Sequence, residues 1–170
     1  MNRRKSTRLR DREYWGQGLY FFTICCALRR PYLADVLTAE AVEATLLRSA
    51  ESNHFTIHAY CLMPDHVHIL AEGTSPSSNA LGFIRHFKQG SGYKFKQARK
   101  RVLWEFSYYD HILRSEDSLI EVARYIWWNP VRKGLSRAPG EYRYSGSQTL
   151  SWMQECEAPS QWFHSSHGRV

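Results

Sequence analysis

The apolar pattern of the chain begins at residues 19–28, LYFFTICCAL, a β-favouring run closed by Arg29, Arg30 and Pro31. Such a run predicts a buried strand. From Thr38 to about Ser52 the period becomes helical. Val42, Leu46 and Leu47 form one stripe, Thr38 is placed as the N-cap, and Glu40 falls in the first turn. FTIHAYCL (55–62) and HVHILAE (66–72) return to strand character, and the MPD between them turns the chain, so the two predict a hairpin. GTSPSSNA (73–80) is a loop by composition. A second helix is predicted from 79 to about 100, with a weak point at Gly90-Ser91-Gly92, where glycine costs helix stability. VLWEFSYYDHIL (102–113) predicts a fourth strand. Ser115 then caps a third helix with Glu116 and Asp117 in its first turn; it runs through LIEVARYIWWN and stops near Pro130. Beyond about residue 135 no pattern is clear.

The order is thus β-α-β-β-α-β-α. The simplest layered solution is an α+β fold, with one antiparallel sheet and helices mainly on one face, in a ferredoxin-like arrangement. No internal repeat or domain boundary interrupts it. The chain divides into a basic N-terminal arm (1–17), a single folded domain (18–148) and a C-terminal tail (149–170). A length of 170 residues suits one domain and not two.

Charge changes the picture. The formal net charge is +7 and the isoelectric point about 9.4, a balance that suits a polyanionic partner. The charge is concentrated. Between 85 and 101 lie Arg85, Lys88, Lys94, Lys96, Arg99, Lys100 and Arg101 with no acid, interleaved with His86, Tyr93 and Phe95. The arm adds further cations, Arg8 and Arg10 among them. One basic run alone reads as a solvated face; two, with aromatic side chains between the cations, point to nucleic acid. Cys25, Cys26, Cys61 and Cys156 have no zinc-like spacing and are expected to be reduced thiols. No apolar run approaches the roughly 20 residues of a membrane span, and no apolar signal segment follows the basic N-terminus. A cytoplasmic, nucleoid-associated protein with no membrane partner is expected.

Candidate chemistry sits in two places. In MPDHVHIL (63–70), His66 and His68 share one face of a strand and Val67 and Ile69 the other. Two imidazoles so placed can share a metal ion, but a useful site needs a third ligand. Alone, the pair reads first as ordinary half-exposed strand residues. About sixty residues on, in ARYIWWNPVRKG, Tyr125 and Asn129 lie four apart on a predicted helix and share its face. Asn129 offers an amide oxygen suited to Mg²⁺ or Mn²⁺. Tyr125 offers a phenol that attacks phosphorus once ionised; phenols ordinarily ionise near pH 10, so a metal or positive field is required. The alternative is a packing tyrosine and an asparagine that caps the helix before Pro130. Tyr93 and Gln97 have the same spacing in YKFKQ.

Taken together, YCLMPDHVHIL, LWEFSYYDHILRSED, ARYIWWNPVRKGL and EYRYSGS resemble the REP-associated tyrosine transposases, of the HUH single-strand transposase superfamily. The resemblance covers about residues 14 to 148. It implies the HUH endonuclease fold, with His66, His68 and Asn129 as ligands of a divalent metal, Mg²⁺ or Mn²⁺, and Tyr125 as the nucleophile. It further implies cleavage and rejoining of single-stranded DNA at REP-type (REP/BIME) hairpins through a 5′-phosphotyrosine, by a monomer or a homodimer. The order of segments in the family selects Tyr125 over Tyr93. Arg132 and Lys133, just past the nucleophile, are placed to hold phosphates. A hairpin-binding module of the same fold without turnover, and a phosphoesterase that uses water in place of Tyr125, stand as alternatives.

Overall fold

The computed structural model describes residues 14–114 and 118–151. The elements are β1 (Leu19–Cys25), α1 (Val36–Ser52), β2 (Phe55–Met63), β3 (His66–Gly73), α2 (Ala80–Arg99), β4 (Tyr109–Ile112), α3 (Leu119–Arg132) and a short β5 (Ser145–Gly146). They form one five-stranded sheet in the order β4-β1-β3-β2-β5, every pair antiparallel. This is the expected α+β architecture. α1 and α2 cover one face, and α3 lies on the other.

The alternation of side chains explains the two layers. On β1, Tyr20, Phe22 and Ile24 join the core beneath α1 and α2, while Phe21 points to the core beneath α3. β3 divides the same way, with Val67, Ile69 and Ala71 on the first face and Leu70 on the second. β2 needs a correction of phase. Its register against β3 shifts between Ile57 and Ala59, a β-bulge at His58. Phe55 and Ile57 therefore share their face with Tyr60 and Leu62, and Ala59, Cys61 and Met63 turn toward α3. One extra residue exchanges the faces of everything after it. The small Ala59 and Cys61 leave room for Trp127 of α3 to bury against the strand.

Five local expectations are revised. The N-cap of α1 is Asp35, not Thr38. The Asp35 carboxylate accepts from the Thr38 amide (3.0 Å) and hydroxyl (2.6 Å), so the helix starts one turn earlier, on exposed Val36 and Leu37. The apolar stripe hid that turn because those two side chains face solvent. α2 does not break at Gly90-Ser91-Gly92. A Cβ at Gly90 would lie 3.1 Å from Thr45 Cγ2 of α1, and Ser91 Oγ accepts from the Trp104 indole at 2.9 Å. The small residues admit neighbours; they do not interrupt the helix. The fourth strand shrinks to Tyr109–Ile112. Before it, Leu103 and Trp104 fold into the α2 side of the core, and the Lys88 ammonium donates to the carbonyls of Glu105 and Phe106, 2.9 Å each.

The N-cap of α3 is Ser118, whose hydroxyl accepts from the Glu121 amide; Ser115, Glu116 and Asp117 lie outside the described residues. α3 also runs past Pro130 to Arg132. Pro130 has no N–H for the Ile126 carbonyl. The Asn129 Nδ2 reaches that carbonyl at 3.4 Å and the Tyr125 carbonyl at 2.8 Å, which offsets the loss.

The glycines of α2 and β3 make opposite predictions. A Cβ at Gly92 would touch Trp104 at an ordinary 3.6 Å, so Gly92→Ala is expected to stabilise the fold by about 0.5–1 kcal/mol. A Cβ at Gly73 would lie 2.2 Å from the Gly16 carbonyl oxygen, so Gly73→Ala is expected to cost about 1–3 kcal/mol. Urea unfolding of the two variants beside the parent chain measures both.

Candidate functional site

His66 and His68 sit on the α3 face of β3, opposite Cys25 and Thr23 of β1 in the register. Both are buried. Their rings stand nearly perpendicular (84°) with Nε2 atoms 3.1 Å apart. The other nitrogen of each ring is engaged behind it. His66 Nδ1 is 2.6 Å from Asp65 Oδ1, and His68 Nδ1 is 2.9 Å from Thr23 Oγ1. Asp65 is itself held by the Arg29 guanidinium at 3.3 Å. Outer hydrogen bonds that fix the rings while the inner nitrogens converge are the usual surroundings of metal-binding histidines.

Charge on His68 is disfavoured. Burial pushes the His68 imidazole well below its ordinary pKa, and the nearby positive charges of His66, Arg132 and Arg29 add to the effect. The hydrogen bond from His66 lowers the Asp65 carboxyl against an opposing desolvation, and the charges of His66 and Arg29 lower it further. Neutral imidazole is the state in which His68 can ligate a cation.

α3 brings Tyr125 to the same face. Its half-buried ring meets His68 edge-on at 5.8 Å between centroids and Phe21 at 6.1 Å. The Arg132 guanidinium carbon lies 4.7 Å from the centre of the Tyr125 ring. Asn129, one turn on, is buried with its amide turned along its own helix, and its Oδ1 accepts from Arg132 Nη2 at 2.7 Å. Among the described residues no three His, Cys, Asp or Glu side chains gather into a metal-binding group. An amide oxygen such as that of Asn129 is of a kind that can donate to a hard cation.

The predicted basic residues lie elsewhere. α2 covers the opposite face of the sheet, so Arg85, Lys88, Lys94, Lys96 and Arg99 are separated from the histidines by its thickness. Arg99 pairs with Asp35 at 2.8 Å, and Lys88 is bonded to the two carbonyls already named. Lys100 and Arg101 are exposed just past the end of α2, and Lys133 past the end of α3. Arg132 is the predicted phosphate ligand that touches the Tyr125–Asn129 pair. Arg8 and Arg10 lie outside the described residues. Tyr93 and Gln97 are exposed on α2, away from the histidine face. Thr23 and Phe21 were not singled out by the sequence. Only the β1–β3 register, which is not written in either strand, sets them beside His68.

The family model described as "Transposase IS200 like" matches residues 9–129. The chain belongs to the IS200-like transposases. A Haemophilus influenzae protein provisionally named a REP-associated tyrosine transposase is 26% identical over 79% of this chain and 82% of its own length. The REP-associated tyrosine transposase of Escherichia coli strain K12 is 24% identical over 79% of each chain. The solved structure of a REP-associated tyrosine transposase bound to a REP hairpin superposes with a TM-score of 0.66 at 20% identity, over 82% of this chain and 81% of the other. The resemblance drawn from the motifs is borne out, and so is membership of an enzyme family, the transposases. No helix among the described residues is long and apolar enough to cross a membrane.

The state of His68 predicts a pH dependence. The unfolded chain takes up a proton near the ordinary histidine pKa of 6.5, and the folded chain resists it. For the metal-free protein, the stability contributed by keeping His68 neutral is present above that value and is lost as pH falls through it toward the lowered folded pKa. Thermal melts from pH 8 to pH 5 should show that loss, and His68→Gln should flatten the slope by up to one proton.

Proposed function

We propose that this chain cleaves and rejoins single-stranded DNA at REP-type hairpins, with Tyr125 as the nucleophile. The observation that carries the reading is the placement of the Tyr125 ring against His68, on the face where the two histidine Nε2 atoms converge. The phenol oxygen forms a bond to phosphorus as the bond from phosphorus to the 3′ oxygen of the preceding nucleotide breaks. The products are a 5′-phosphotyrosine and a free 3′-OH. A 3′-OH then attacks the phosphotyrosine and returns the phenol, so the bond energy is conserved and no nucleotide is consumed.

His66 and His68, through Nε2, and Asn129, through Oδ1 once Arg132 releases it, are the residues that would hold Mg²⁺ or Mn²⁺. When bound, such an ion polarises the scissile phosphate and stabilises the charge of the in-line displacement. Asp65 and Thr23 orient the two rings from behind. Arg132 lies over the tyrosine ring, so its positive charge is beside the attacking group and within reach of a phosphate. Arg85, Lys94, Lys96, Lys100, Arg101 and Lys133 supply exposed cations for the DNA backbone, with Arg8 and Arg10 from the arm.

Labelled single-stranded hairpin DNA incubated with Mg²⁺ or Mn²⁺ and run on a denaturing gel tests the chemistry. A covalent protein–DNA adduct is expected for the parent chain, and none for Tyr125→Phe, His66→Ala or His68→Ala. Cleavage that survives in Tyr125→Phe would point to attack by water, and binding with no cleavage to a hairpin-binding module. Asp65→Asn should weaken Mn²⁺ binding about 10–100-fold, read by calorimetry, with little change in DNA affinity.

A further inference from the structure

On the face of the sheet away from the histidines, α2 and the segment 102–108 enclose an open groove of about 680 Å³. Its floor is apolar, made by Ile84, Leu103 and Trp104. Its rim carries two aromatic side chains that a folded chain would ordinarily bury. Phe106 is 96% exposed and Tyr93 66% exposed. Beside them stand Arg85 and Lys96, both exposed and neither with an acidic partner among the described residues. The one acid among the described lining residues, Glu105, is already accepting from the Leu28 amide at 2.6 Å.

We propose that this groove is a second DNA site, which binds the single-stranded flank of the substrate by stacking its bases on Phe106 and Tyr93 while Arg85 and Lys96 hold its phosphates. Exposed aromatic rings beside unpaired cations form the platform that binds single strands with little regard to sequence. Charge decides between occupants. Tyr14 lines the groove, and the sequence before it is rich in arginine, so as an occupant that segment would meet Arg85 and Lys96 as a like charge. A polyanion has no such conflict. Lys88 braces the groove: its bonds to the Glu105 and Phe106 carbonyls fix the wall that presents the phenyl ring. β4 is an edge strand, so DNA leaving the groove has a path around that edge toward the histidine face.

The test uses full-length Tyr125→Phe protein, so that no DNA is cleaved and the outcome does not depend on the chemistry proposed above. Two labelled probes are titrated at fixed salt: one hairpin with single-stranded flanks and the same hairpin without them. Phe106→Ala and Tyr93→Ala should each weaken binding of the flanked probe about 5- to 150-fold and leave the blunt hairpin unchanged. Arg85→Gln and Lys96→Gln should each reduce the salt dependence of flanked binding by about one phosphate contact. Halogenated uracil in the flank should photocrosslink to Phe106 or Tyr93. All four side chains are exposed, so a matching thermal melt checks that each variant is folded. Unchanged affinity for the flanked probe, equal loss for both probes, crosslinks only to other residues, or a Phe106→Ala effect on self-association in place of DNA binding would each overturn the proposal.

Discussion

The hydrogen bond between Thr23 Oγ1 and His68 Nδ1 is the point on which the site depends. It joins two neighbouring strands, so it exists only in one register of β1 against β3. A slip of one residue would turn His66 and His68 into the core beneath α1 and α2, and bring Val67 and Ile69 to the α3 side. Burying two unpartnered imidazoles that way is costly, and Val67 and Ile69 would lose their packing beneath α1 and α2. The two cores therefore hold the register, and the register fixes which nitrogen of His68 is left to face α3.

The two faces of the sheet divide the work. One face holds the compact arrangement of imidazoles, tyrosine and arginine. The other holds a basic helix and an open groove. A single helix could not have presented all of these groups. The β-bulge at His58 contributes to the division, because it exchanges the faces of β2 beyond it and puts Ala59 and Cys61, not Tyr60 and Leu62, beneath α3. Larger side chains there would lift the helix that carries Tyr125.

Asn129 joins structure and chemistry in one side chain. Its Nδ2 offsets the hydrogen bond that Pro130 removes, and its Oδ1 is held by Arg132. The same arginine lies over the Tyr125 ring. Tyr125, Asn129 and Arg132 thus form a linked group on a helix end, and any movement of Arg132 reaches both of its neighbours.

Much of this was legible along the chain. The order of strands and helices followed from period and turn chemistry, and the pairing of His66 with His68 and of Tyr125 with Asn129 followed from the two-residue and four-residue repeats of strand and helix. Those are local properties, set by backbone geometry within a few residues. Where helices begin was less legible: Asp35 and Ser118 cap their helices through bonds to residues three positions on, and the apolar stripe does not register such bonds. What only the tertiary structure decided is everything that joins distant segments. The bulge at His58, the partnership of Thr23 with His68, the side of the sheet on which α2 lies and the close packing at Gly90 all depend on pairing and contact across the sheet. Period along a chain tells which residues share a face; only the folded sheet determines which face it is and what stands opposite.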